Sequence, residues 1–210
     1  MASIPLEPRV LANQRLHWNR LETLWQILPH ALVLLIFIVG AFFAHELGHA
    51  LVAQFFGARV VMFNVLGMQW YPKLEWMPQF GFGGYVYWFA PVNLTNHRLI
   101  MLSGSTTMLL VSIAAVSALS LLPLRAWTRT ACIVMSLYFL DGLFKILPVL
   151  GWMPLGWNSR FTRSFSEAYF AAVGLGISRE IYIAAIFVSS ALILILLARA
   201  LTRSRTTARL

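Results

Sequence analysis

The chain has 210 residues, 60% of them hydrophobic and 11% charged, a net charge of +9 and a single cysteine, with a mean hydropathy of +0.75. A soluble domain carries about 25% charged residues, so this composition excludes an ordinary water-soluble fold and points to lipid-facing surface. The basic residues are spread over loops and ends rather than gathered on one face. That argues against a nucleic-acid partner and for anchoring to the lipid bilayer, and the lone Cys132 excludes an internal disulfide.

Residues 1–28 read as a polar, irregular N-terminal segment carrying Arg9, Arg15 and Arg20. Pro29 opens the first apolar span, about 29–57, which is interrupted by the run His45-Glu46-Leu47-Gly48-His49. It reads as a retained span, because cleavage at the small-residue site Val39-Gly40-Ala41 would strand that run at a new terminus. Further spans are expected at about 99–122, 127–150 and 181–200, each long enough to cross a hydrocarbon core of about 30 Å as a helix. Residues 201–210 form a basic tail. The expected fold is an all-α, multi-pass integral membrane protein with about four transmembrane helices and one membrane-embedded domain over 29–200.

Between the first two spans, residues 58–97 hold two strand-like runs, Arg59 to Leu66 and Tyr85 to Ala90, broken by Gly81, Gly83 and Gly84. β-Branched and aromatic residues divided by glycines predict a small β-hairpin or re-entrant strand segment. Trp70, Trp76 and Trp88 suit the membrane–water boundary. Such a strand edge either anchors the chain at the interface or receives an extended peptide.

The chemistry is concentrated in His45-Glu46-Leu47-Gly48-His49, an HExxH motif. Residues four apart share a helix face, so both imidazoles can bind one metal ion while Glu46 reaches a water on it. Neutral imidazoles suit Zn2+, one ion per chain, with an open position for water. A chance match is disfavoured because ionisable groups at membrane depth cost about 2.5 kcal/mol or more when charged and usually mark function. A third protein ligand is required. Of Glu7, Glu22, Glu75, Asp141, Glu167 and Glu180, only Asp141 falls inside a span, at a depth similar to that of His45. Lys145 lies four residues after Asp141 and could pair with it, but near a span end it is expected to snorkel toward the headgroups. Gly40, Ala44 and Gly48 form a small-residue stripe beside the histidines that lets a neighbouring helix approach, and Gly142 could do the same opposite.

The HELGH run in the first span, Gly83-Gly84-Tyr85-Val86 in the loop and Leu140-Asp141-Gly142 in the third span resemble the site-2 protease family of intramembrane zinc proteases, over roughly residues 40–150. The resemblance implies zinc held by His45, His49 and Asp141, Glu46 as general base and then proton donor, and a membrane-protein substrate. The family's Gly-Pro-x-x-Asn motif in the middle span is replaced by Gly104-Ser105-Thr106-Thr107-Met108, which loses the proline and asparagine. Gly83, Gly84, Tyr85, Ser105, Thr106 and Thr107 are therefore the substrate-binding candidates. The rival readings are a metal-ion transporter and a catalytically inactive homologue that binds membrane partners. The oligomeric state has no sequence signal.

Overall fold

The computed structural model describes residues 8–77, 79, 83–89, 92–152 and 165–207. Two compact units divide the chain, Met1–Ile38 and Val39–Leu210, and the interactions below all lie in the second.

Helix α1 runs from Pro8 to Phe55. The segment 8–28, expected to be irregular, is therefore helical: Leu, Gln, Arg and Glu are good helix formers, and polarity alone does not make a loop. α1 ends in a Schellman turn. The Ala58 N–H donates to the Ala53 carbonyl at 2.9 Å and the Gly57 N–H to that of Gln54 at 2.9 Å, with Gly57 at φ +79°, a conformation that glycine adopts without a Cβ penalty. The turn delivers the chain into strand β1 (Arg59–Val65).

Strands β1, β2 (Met68–Tyr71), β3 (Glu75–Trp76) and β4 (Gly84–Phe89) form an antiparallel sheet in the order β3-β2-β1-β4. The expected pairing of the two long runs is present, with Phe63 opposite Val86 and Asn64 opposite Tyr85. The two shorter strands enlarge the hairpin into a sheet. Leu66 and Gly67, at φ 54° and 78°, close β1 to β2 in the double positive-φ manner that matches strand twist. Gly81 and Ala90 lie outside the described residues. One face of the sheet packs with the end of α1: Val60, Phe63 and Val65 join Ala50, Ala53 and Ile100 in a buried cluster.

Helix α2 (Leu94–Leu121) starts at Asn93, whose side chain accepts the Asn96 N–H at 2.8 Å, satisfying one of the four orphan donors of the first turn. The third apolar segment is not one helix. α3 (Ala126–Ser136) passes through a 3₁₀ turn, Leu137–Phe139, into α4 (Leu140–Ile146), and a second 3₁₀ turn covers Pro148–Leu150. Helix α5 (Glu167–Gly174) precedes the last long helix, α6 (Arg179–Thr207).

Among the described residues, four segments are long and apolar enough to cross a membrane: Ile27–Phe55, Leu94–Leu121, Ala126–Leu150 and Arg179–Thr202. Leu51, Phe55, Leu110, Leu192 and Ile195 are exposed, as side chains that meet lipid rather than water are expected to be. A second buried cluster, Ile146, Ala168, Ala172 and Tyr182, joins α4, α5 and α6.

Candidate metal centre

α1 carries His45, Glu46 and His49, all buried. The helical period turns both imidazoles to one side, with ring centroids 4.9 Å apart and Nε2 atoms 3.2 Å apart. α2 faces them through Gly104: a Cβ there would stand 2.5 Å from the Nε2 of each histidine. The helices approach this closely because Gly48 in turn faces Thr107 and the Ser103 carbonyl of α2, where an added Cβ would lie 2.9 Å from that oxygen. The small-residue stripe thus serves α1 against α2 at Gly48. Gly142, expected to help opposite the histidines, faces Ile186 of α6 instead.

The backbone of β4 enters the same space. A Cβ on Gly84 would collide with the Glu46 side chain, 2.6 Å from its Cδ. Two unrelated segments, α2 and β4, therefore need glycine where they meet the HExxH face.

Two carboxylates reach the histidines from elsewhere. Asp141 places Oδ2 3.4 Å from His45 Nδ1 and accepts a hydrogen bond from Ser105 Oγ at 2.7 Å. Glu167, at the start of α5, places Oε1 2.9 Å from His45 Nε2 and 3.2 Å from His49 Nε2. Among the described residues, His45, His49 and Glu167 form a group that could hold a metal ion, with donor atoms within 4.8 Å of one another. Asp141, expected as the third ligand, stands on the Nδ1 side of His45 at 3.4 Å.

Glu167 was set aside in the sequence because it lies outside the apolar spans. The signal that could have found it is the spacing of Ala168, Ala171 and Ala172, all buried, a small-residue face that lets α5 close on its neighbours. The Arg98 guanidinium on the Gly174 carbonyl ties α5 to α2. Burial works against a charged Glu167, but hydrogen bonds to His45 and His49 and the Lys145 ammonium outweigh it and hold the carboxyl well below the usual range.

Lys145 does not snorkel. Its Nζ lies 2.8 Å from His45 Nε2, 2.9 Å from Glu167 Oε1 and 3.8 Å from Asp141 Oδ1. Two partly buried carboxylates hold the ammonium inward more strongly than headgroups draw it out.

The remaining expected site residues divide. Ser105 reaches the centre through Asp141. Thr107 packs against Gly48. Thr106 is exposed, its hydroxyl on the Leu102 carbonyl at 3.0 Å, because one residue of helical advance turns it about 100° away from Ser105. Gly83 precedes β4, and Tyr85 is exposed on β4.

Donor spacings of 2.9–3.2 Å among two imidazoles and a carboxylate are close to the roughly 3.4 Å that tetrahedral zinc bonds of about 2.0–2.1 Å require, so these residues fit the metal. Such a donor set between apolar helices, with a further buried glutamate beside it, defines a membrane metallopeptidase site. The chain belongs to peptidase family M50, the site-2 protease family, whose model matches residues 32–207. No curated protein and no solved structure matches the chain.

Proposed function

We propose that the protein is a zinc-dependent endopeptidase that cleaves a peptide bond in or near a transmembrane segment of another membrane protein. The observation that carries this reading is the position of Glu46: buried beside the two histidines on α1 and pressed against Gly84, the first residue of an edge strand. A substrate strand added along β4 would bring its backbone past Glu46, which is what peptide hydrolysis needs and ion transport does not.

When bound, zinc supplies Lewis acidity to the scissile carbonyl and lowers the pKa of water. Glu46 accepts the proton of the attacking water at its carboxylate and delivers it to the leaving amine nitrogen. β4 exposes Tyr85, Tyr87 and Phe89 on alternate positions. Its backbone edge supplies hydrogen bonds that do not depend on substrate sequence, and these rings supply contact area. An open groove of about 670 Å³ beside the strand is lined by Val86, Tyr87, Trp88, Val92, Leu94 and His97. Unwinding of the substrate helix into a strand exposes its peptide bonds, which a helix keeps internally paired.

Glu46→Gln tests the proposal. Purified variant in detergent or liposomes is expected to bind zinc at the wild-type level, about one per chain, and to lose cleavage of a transmembrane peptide. Wild-type-like cleavage would refute the protease reading. Retained zinc flux into liposomes by Glu46→Gln, with no proteolysis by wild type, would favour the transporter.

A further inference from the structure

Resting on the endopeptidase reading above, we infer that the groove between β4 and the start of α2 selects the substrate. It takes one bulky apolar side chain, aromatic or leucine-like, roughly two to four residues from the scissile bond.

The register of the sheet places that side chain. The Leu66 N–H donates to the Gly83 carbonyl at 2.9 Å, and the pairing continues with Val65 opposite Gly84, Asn64 opposite Tyr85 and Phe63 opposite Val86. Hydrogen-bonded and non-hydrogen-bonded pairs alternate along an antiparallel ladder. The backbone N–H and C=O of Gly84 and Val86 therefore turn away from β1, toward the edge that no described strand covers. A peptide strand joined there is held at the residue that touches Glu46 and again two residues on. The groove is thus continuous with the strand edge that leads to the reacting bond.

Side chains decide what fits. Residues opposite one another on paired strands share a face, so a substrate residue beside Val86 or Trp88 points to the same side of the sheet as they do. That side is the packed one: Val86, Trp88 and Val92 lie against the buried cluster that holds Ala50, Phe63 and Ile100. Val86 and Trp88 also line the groove, and Leu94 and His97 of α2 complete it. At the rise of a strand they stand about 7 and about 13 Å from Gly84, which sets the distance from the scissile bond. Substrate residues of the other parity lie beside the exposed Tyr85 and Phe89, which do not line the groove.

The walls define the chemistry. Neither a carboxylate nor a Lys or Arg is among the described lining residues, so an ionised side chain would lose water there and meet no opposite charge. The Trp88 indole rests against the His97 ring, with centroids 5.7 Å apart and planes tilted by 44°. The indole is therefore held in place before a substrate arrives, and a second ring gains by offset or edge contact with it.

The test uses full-length protein in detergent and a transmembrane peptide in which each position near the cleaved bond, on both sides, is set in turn to Ala, Leu, Phe and Lys. Turnover gives kcat/KM for each peptide, and the affinity of labelled peptides for Glu46→Gln gives binding without cleavage. At one position in the stated range, Phe or Leu is expected to be cleaved and bound at least about tenfold better than Ala, with Lys poorest. Leu94→Trp fills the groove from the first turn of α2, where Leu94 is 63% exposed, and is expected to erase the Phe-to-Ala ratio while zinc content stays near that of wild type. Trp88→Leu removes the ring contact and is expected to lower the Phe-to-Leu ratio. A flat series in an enzyme that cleaves, or a Phe preference that survives Leu94→Trp, would overturn the inference. A phospholipid that copurifies with wild type and is lost in Leu94→Trp, with the peptide series unchanged, would give the groove to lipid and overturn it as well. No cleavage of any peptide and no binding by Glu46→Gln would instead overturn the endopeptidase reading itself.

Discussion

Gly104→Ala offers the sharpest perturbation of the centre, because it adds one carbon and no charge. The new Cβ would stand 2.5 Å from His45 Nε2 and from His49 Nε2, about 0.9 Å inside the 3.4 Å at which ordinary contact begins. Either both imidazoles move or α2 retreats from α1. Retreat is resisted one turn along, where Gly48 already rests against Thr107 and Ser103, and His49 Nδ1 would lose the Ile100 carbonyl. Moving the rings by several tenths of an ångström exceeds the roughly 0.2 Å tolerance of zinc–ligand distances.

The expected result is therefore a fall in zinc affinity of at least about 100-fold. The fold itself should lose about 1–3 kcal/mol, as for other overpacked interiors. Chelator competition measures the first and thermal unfolding of metal-free protein in detergent the second. Gly142→Ala is the control: its Cβ would meet only the flexible end of Ile186 at 3.1 Å, so zinc should stay bound. Wild-type zinc affinity in Gly104→Ala would refute the close α1–α2 geometry and the Nε2 assignment with it.

Gly84→Ala would push the Glu46 carboxylate aside without touching the histidines; cleavage should fall at least tenfold while zinc content, read by elemental analysis, stays near one per chain. Lys145→Met removes the ammonium that lies 2.8 Å from His45 Nε2 and 2.9 Å from Glu167 Oε1. A unit charge at about 4 Å is worth about 4 kcal/mol at an effective dielectric of 20, so even a fraction of this should tighten zinc binding tenfold or more. Weaker binding would instead mean that Lys145 is needed to hold Glu167 in place.

The HExxH face was legible because it depends only on helical period: His45, Glu46 and His49 needed nothing beyond the spacing of side chains on α1. The sheet between the first two spans was legible in its two long strands, but not in β2 and β3, which are too short to carry a pattern. Glu167 was hidden for a different reason. Reading depth in the membrane from the segment a residue belongs to leaves Glu167 outside the centre. α5 lies between spans and still brings a carboxylate to the centre. Lys145 escaped by a related assumption, that a lysine near a span end finds headgroups, when nearer carboxylates of opposite charge were available inside. The 3₁₀ turn at Leu137–Phe139, immediately before Asp141, is likewise absent from an unbroken apolar run. It interrupts regular helix next to a functional side chain, a place where such departures recur.

The charges at the centre explain why a divalent cation belongs there. Glu46, Asp141 and Glu167 carry three carboxylates, and Lys145 carries the one ammonium among them. With neutral histidines the cluster retains two negative charges in a helix bundle where unpaired charge is costly. Lys145 neutralises one carboxylate and cannot neutralise the others. A zinc ion would balance the remainder, and the two imidazole lone pairs favour it over the hard, oxygen-seeking cations. Folding thus brings together groups whose mutual repulsion a metal would relieve. Zinc should consequently stabilise the protein as well as activate it, and the glycines at 48, 84 and 104 admit the three converging segments without adding side chains to the space the chemistry needs.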